Sequence, residues 1–194
     1  MIKLKRRITQ FFIFTFAFLA LSLPLCSAQY IGGWGGVAFV SNRLDKYSID
    51  FGPGIALGIC YGIECMRDFR LEAELNIRRA YIKDIRKKSG LSLEMKGTFY
   101  EGALLCNALY APRLFSPIFP YIGFGIGWEA EKTRLSHAAL ADIHTYDNGF
   151  SAQLLCGLEY QISRCYIAGI SYRYYLFDDD VQSSAVVGSL TYRM

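Results

Sequence analysis

The sequence predicts an all-β fold: an eight-stranded antiparallel up-and-down transmembrane β-barrel that follows a cleavable signal peptide. Three observations predict it. After residue 28, eight stretches alternate apolar and polar residues with period two. Aromatics mark the stretches: Tyr30, Tyr61, Phe69, Tyr110, Phe119, Tyr160, Tyr166 and Tyr192 each fall near one end of a separate stretch. The connectors between stretches run long, short, long, short. A spanning strand must turn apolar groups to lipid at every second residue and place rings at the interfaces. A closed sheet leaves no backbone edge unpaired in hydrocarbon.

The first 28 residues read as an export signal. Lys3, Lys5, Arg6 and Arg7 form a basic head, Phe11 to Leu23 carries no charge, and Pro24 breaks the run. Cys26-Ser27-Ala28 supplies small residues for cleavage before Gln29. The residue before Cys26 is Leu25, whereas a lipidation site wants a small residue there. The expected domains are therefore a signal peptide, 1–28, and a barrel, 29–194. Four of the 21 basic residues lie in the signal, which leaves 17 against 17 acidic ones. The net charge of +4 belongs to the signal, so charge gives no case for nucleic acid as a partner.

Taken in order, the first strand is expected over Tyr30 to Phe39 and a polar connector over Ser41 to Asp50. The second strand, Phe51 to Tyr61, sets Phe51, Ile55, Leu57, Ile59 and Tyr61 against Gly and Ala. After a turn at Glu64 to Arg67, the third strand, Phe69 to Tyr81, sets Leu71, Ala73, Leu75 and Ile77 against Arg70, Glu72, Glu74, Asn76 and Arg78. A long basic connector, Ile82 to Lys96, precedes the fourth strand, Thr98 to Tyr110. A turn with Pro112 and Pro117 leads to the fifth strand, Pro120 to Glu131, where Ile122, Phe124, Ile126 and Trp128 oppose Gly123, Gly125, Gly127 and Glu129. The longest connector is expected over Lys132 to Asn148. The sixth strand, Gly149 to Gln161, and the seventh, Cys165 to Leu176, are joined by a short turn at Ser163-Arg164. An acidic connector, Asp178 to Asp180, leads to the eighth strand, Ser184 to Met194.

Alternation alone does not say which face is inside. A soluble ligand-binding barrel also alternates, and Gly32-Gly33-Trp34 resembles the Gly-x-Trp motif of lipocalins. Aromatics at both ends of the apolar faces, with Phe39, Phe51, Trp128, Phe150 and Tyr174 at the far ends, favour a lipid girdle over a ligand cavity. The polar face would then enclose Arg70, Glu72, Glu74, Arg78, Glu101, Glu129, Glu159, Arg173 and Arg193. Eight strands enclose room only for side chains. Nine ionisable groups there must pair with each other or with water, because an isolated buried charge is too costly. The expected role of this network is structural, a plug that fixes strand register, with a gated narrow pore as the alternative.

Two runs carry a resemblance. Phe69-Arg70-Leu71-Glu72-Ala73-Glu74 is similar to the Phe-Arg-x-Glu-x-Glu run of small bacterial outer-membrane barrels. Pro120-Tyr121-Ile122-Gly123-Phe124-Gly125-Ile126-Gly127 resembles their Pro-Tyr-x-Gly-x-Gly-x-Gly run. The chain so resembles the OmpA-like and opacity-type eight-stranded barrels, including bacterial surface antigens. The resemblance implies a bacterial outer-membrane location and a surface, structural or adhesion-type role. Its implied partners are outer-membrane lipid, lipopolysaccharide, the insertion machinery and a host surface. The chain ends Tyr192-Arg193-Met194, with Met where the family commonly has a terminal aromatic.

No catalytic, metal or cofactor set is read, and the chain is not expected to be an enzyme. Lipid A deacylases use a His-x-Ser pair, which neither His137 nor His144 matches. Asp178-Asp179-Asp180 reads as a solvated loop. The candidate anion contact is the basic loop Lys83, Arg86, Lys87 and Lys88. The less favoured readings are a narrow ion or small-solute channel, a lipid-modifying enzyme and a soluble lipocalin-like binder. Five cysteines follow the signal, so at least one lacks an intrachain partner, and the pairing is left open. Cys106 and Cys156 fall on the apolar, lipid-side parity.

Overall fold

Period-two alternation becomes cross-strand register in the computed structural model, which describes residues 28–42, 47–87, 92–93, 96–112, 117–137, 140–177 and 181–194. The signal residues before Ala28, the acidic run Asp178 to Asp180, and Lys88 lie outside the described residues. The strands are β1 (Gln29–Asn42), β2 (Tyr47–Phe51), β3 (Gly54–Met66), β4 (Phe69–Lys87), β5 (Ser92–Leu93), β6 (Lys96–Tyr110), β7 (Ile118–His137), β8 (Leu140–Gln161), β9 (Tyr166–Phe177) and β10 (Val181–Arg193). Among the described residues there is no helix.

Eight of these strands close the barrel. The antiparallel order β1-β3-β4-β6-β7-β8-β9-β10 returns to β1, where Tyr30 pairs with Arg193 and Asn42 with Val181. β2 and β5 are short additions that pair with the far end of β4. Closure gives each of the eight barrel strands a neighbour on both sides, which is what a sheet in hydrocarbon requires. Both termini of the barrel and the short turns share one end; the long hairpins share the other. That is the arrangement of periplasmic turns and extracellular loops.

The strands outrun the expected boundaries at the hairpin end. Most of the predicted connector Ile82 to Lys96 is strand, with β4 continuing to Lys87. The predicted connector Lys132 to Asn148 is mostly a hairpin, in which Lys132 pairs with Tyr146. Beyond the bilayer both faces of a strand meet water. The apolar alternation fades there while the backbone ladder continues, and a pattern reading stops too early. The second predicted strand is also divided. Gly52-Pro53 separates β2 from β3, since Pro has no N–H for the ladder. Phe51 consequently leaves the outward girdle and packs edge-on against inward Phe99, ring centroids 5.9 Å apart.

The two faces segregate sharply. Ile59, Ile77, Leu104, Ile122 and Ile170 project outward, and Ile59 is 60% exposed where Glu74 is 0%. Near the terminal end, outward rings touch across strands, Phe69 on Tyr110 at 5.0 Å and Tyr166 on Tyr192 at 5.3 Å. Tyr30, whose parity the Gly-rich first strand leaves open, points inward with Trp34 and is buried. Cys106 and Cys156 face outward, Cys60 is buried inside, and these three are free thiols together with Cys65 and Cys165.

Candidate functional site

Among the described residues chemistry-bearing side chains converge in the lumen, and its contents follow from parity. Even residues of β4 and odd residues of β6, β7, β8 and β9 point inward. All nine predicted charges lie on that face. Seven of them are buried, and Glu159 and Arg193 are part-buried near the terminal end.

They sort into tiers along the barrel axis. At the terminal end Arg193 meets Glu64 at 2.6 Å. Arg70 makes a two-pronged contact with Glu159, at 3.1 and 2.9 Å, and stands between the rings of Tyr30 and Tyr121. The Tyr30 hydroxyl donates to Glu72 at 2.8 Å. In the middle tier Arg173 donates to Glu74 at 2.5 Å and lies 4.1 Å from the Trp34 ring centroid. Asn76 and Asn107 also donate to Glu74, and Gln153 donates to Asn107 at 2.7 Å. Towards the hairpin end Arg78 is wedged between Glu101, at 3.0 Å, and Glu129, and stacks 3.6 Å from the centre of Tyr175. Ser151 donates to Glu129 at 2.7 Å. Glu131 adds a third carboxylate, with oxygens of Glu101, Glu129 and Glu131 all within 4.8 Å of one another.

The same rule recurs at each level. Each of Arg70, Arg78 and Arg173 has a carboxylate in its plane or fork and an aromatic ring against its face. A guanidinium satisfies both because it is planar, always charged and weakly hydrated. A carboxylate that keeps several donors, as Glu74 does, is the arrangement that makes a buried ion pair tolerable. Apolar side chains fill what remains: Leu105, Ala103 and Val187 towards the hairpin end, Leu109, Tyr121 and Leu155 towards the termini. Gly58 lets Trp34 in, since a Cβ there would stand 2.4 Å from the indole. A shallow vestibule lined by Glu64, Arg70, Phe119, Glu159 and Arg193 opens at the terminal end.

Sequence reasoning missed Glu64, placed in a turn, and Glu131, at a strand end. The uncharged Asn76, Asn107, Ser151 and Gln153 are expected on the polar face but not as partners of the charges, and Ser183 falls before the expected eighth strand. Their inward parity was the available signal. Of the basic loop, Lys83, Arg86 and Lys87 lie in β4, Arg86 pairing with Ser48 and Lys87 with Tyr47, while Lys83 falls at a register shift against β2. These positions belong to a strand and not to a loop tip.

The sequence model of the outer membrane protein beta-barrel domain matches residues 14–193. The chain belongs to this family. It is an integral barrel of the bacterial outer membrane, in contact with outer-membrane lipid. No curated protein matches it in sequence. Among solved structures, it is similar to Neisserial surface protein A, with TM-score 0.61 and 16% identity over 86% of this chain and 97% of that one. It is also similar to Ail, the attachment invasion locus protein of Yersinia pestis, solved with the heparin analogue sucrose octasulfate. There the TM-score is 0.58 and the identity 16%, over 86% and 99% of the chains. OprG of Pseudomonas aeruginosa gives 0.54 and 12%, over 87% and 97%. At such identities the likeness concerns the outer-membrane barrel fold.

Proposed function

We propose that this chain is a plugged surface barrel: its lumen bears structure and its exposed hairpins make the contacts. The single observation that carries the reading is that Arg70, Arg78 and Arg173, the buried arginines among the described residues, are each paired with a carboxylate and a ring. A conducting path needs mobile charge or open water, and here the charges hold one another. The chain acts as a surface or adhesion-type protein and not as an enzyme, is exported by residues 1–28, and enters the membrane through the outer-membrane insertion machinery. The β4 extension, with Lys83, Arg86 and Lys87, and the Lys88 that follows it in sequence offer positive charge to lipopolysaccharide or to anionic host surfaces.

Planar-bilayer recording of the purified, folded protein tests the plug. We expect no steady unitary openings; reproducible ion-selective openings would support the channel reading instead. Adhesion is tested on cells displaying the chain. Replacing all four basic residues by Gln should reduce retention on a sulfated-polysaccharide surface several-fold at low salt and leave outer-membrane levels unchanged, and equal retention would count against it.

A further inference from the structure

The outward face is apolar almost everywhere, which makes its few charges informative. Arg79 of β4 projects outward between two rings, 4.9 Å from the centre of Tyr81 and 5.3 Å from that of Tyr100. Lys132 of β7 also projects outward, 5.1 Å from the centre of Tyr146. Register joins them in one row: Arg79 pairs with Tyr100, Tyr100 with Lys132, and Lys132 with Tyr146. Strands are spaced ~4.8 Å apart, so the two cations spring from backbones about 10 Å apart.

The row lies at a definite height. Arg79 is ten residues beyond the terminal-end ring Phe69 on the same strand. At ~3.4 Å per residue and ~40° tilt, that is about 25 Å, the height of the apolar band of such barrels. Strand tilt makes the row oblique, so Lys132 stands higher than Arg79, further into the headgroup layer. At the row and below it, down to Phe69, the outward positions of β4, β6, β7 and β8 carry no carboxylate among the described residues. Rings orient a cation without cancelling its charge. The opposite half of the barrel, β9, β10, β1 and β3, has no charged residue on the corresponding outward positions.

We propose that this face binds the bisphosphorylated saccharide headgroup of an outer-leaflet lipid of the lipid A type, with Arg79 and Lys132 each taking one phosphate. Tyr81, Tyr100 and Tyr146 hold the two cations in place, and Arg79 presents a fork that matches phosphate oxygens. Outward Trp128 and Phe150, paired across β7 and β8, lie below the row and meet the acyl chains. The site is independent of whether the lumen conducts.

Native mass spectrometry of the full chain, folded in detergent, tests this with bisphosphorylated lipid A, its dephosphorylated form and phosphatidylglycerol as probes. The expected result is one retained bisphosphorylated lipid A, with at least about tenfold less retention on the R79Q/K132Q variant, since each basic group near an anionic membrane surface counts substantially. Arg164→Gln, on the turn at the opposite end, should bind as the wild type does. Equal retention by wild type and R79Q/K132Q would overturn the proposal. So would retention of dephosphorylated lipid A or phosphatidylglycerol as tight as that of bisphosphorylated lipid A. The wild-type lipid series decides the matter alone if the variant fails to fold.

Discussion

Arg78 and Arg79 are neighbours in sequence and opposites in environment. Arg78 turns into the barrel and is held by Glu101, Glu129, Ser183 and the Tyr175 ring. Arg79 turns outward and, among the described residues, meets the rings of Tyr81 and Tyr100. One residue step exchanges a fully neutralised cation for an open one, because side chains of a strand alternate between faces. The inner arginine is committed to holding the barrel. The outer one is available to something that is not part of the chain.

That contrast can be broken at several points. The largest effect is expected inside. Arg173→Gln leaves the Glu74 carboxylate buried without its cation and should lower stability by about 3–5 kcal/mol, read as a fall in the urea midpoint for refolding into lipid vesicles. The double variant Glu74→Gln/Arg173→Gln should regain much of the loss, because both charges are gone. Should the single variant unfold at the wild-type midpoint, the ladder is not what holds the barrel. A packing change comes next. Gly58→Ala drives a methyl into Trp34 and should cost about 1–3 kcal/mol by the same assay. The smallest effect belongs to Arg79→Gln, expected within about 0.5 kcal/mol of wild type, as for exposed positions without fixed partners. A loss there as large as that of Arg173→Gln would erase the distinction between the two faces.

Much of this is readable in the sequence. Glu72, Glu74, Arg78 and Arg173 alternate with Leu, Ile and Tyr, so parity alone assigns them to the lumen once the apolar face is given to lipid. Partner choice was not readable. Arg70 reaches Glu159 across 89 residues of sequence, and that meeting is set by strand stagger, which composition does not encode. Tyr30 was ambiguous because Gly32, Gly33, Gly35 and Gly36 occupy both parities around it. The β7–β8 hairpin looked like a loop because its sequence from Lys132 to Asn148 lacks the apolar alternation of the strands below it, although its backbone stays paired.

The seam between β1 and β10 sets a timetable for assembly. Tyr30 pairs with Arg193, and the Met194 amide donates to the Gln29 carbonyl at 2.8 Å. The first strand therefore waits for β10 before its second edge is covered. Until then Gly32 to Gly36 would offer a flat, unprotected rim of amides and carbonyls, the kind of template on which foreign strands grow. Contacts of such long sequence separation also form slowly. The chain thus has to be carried unfolded from synthesis to its destination, and shortening it by even the final strand should turn a membrane protein into an aggregate.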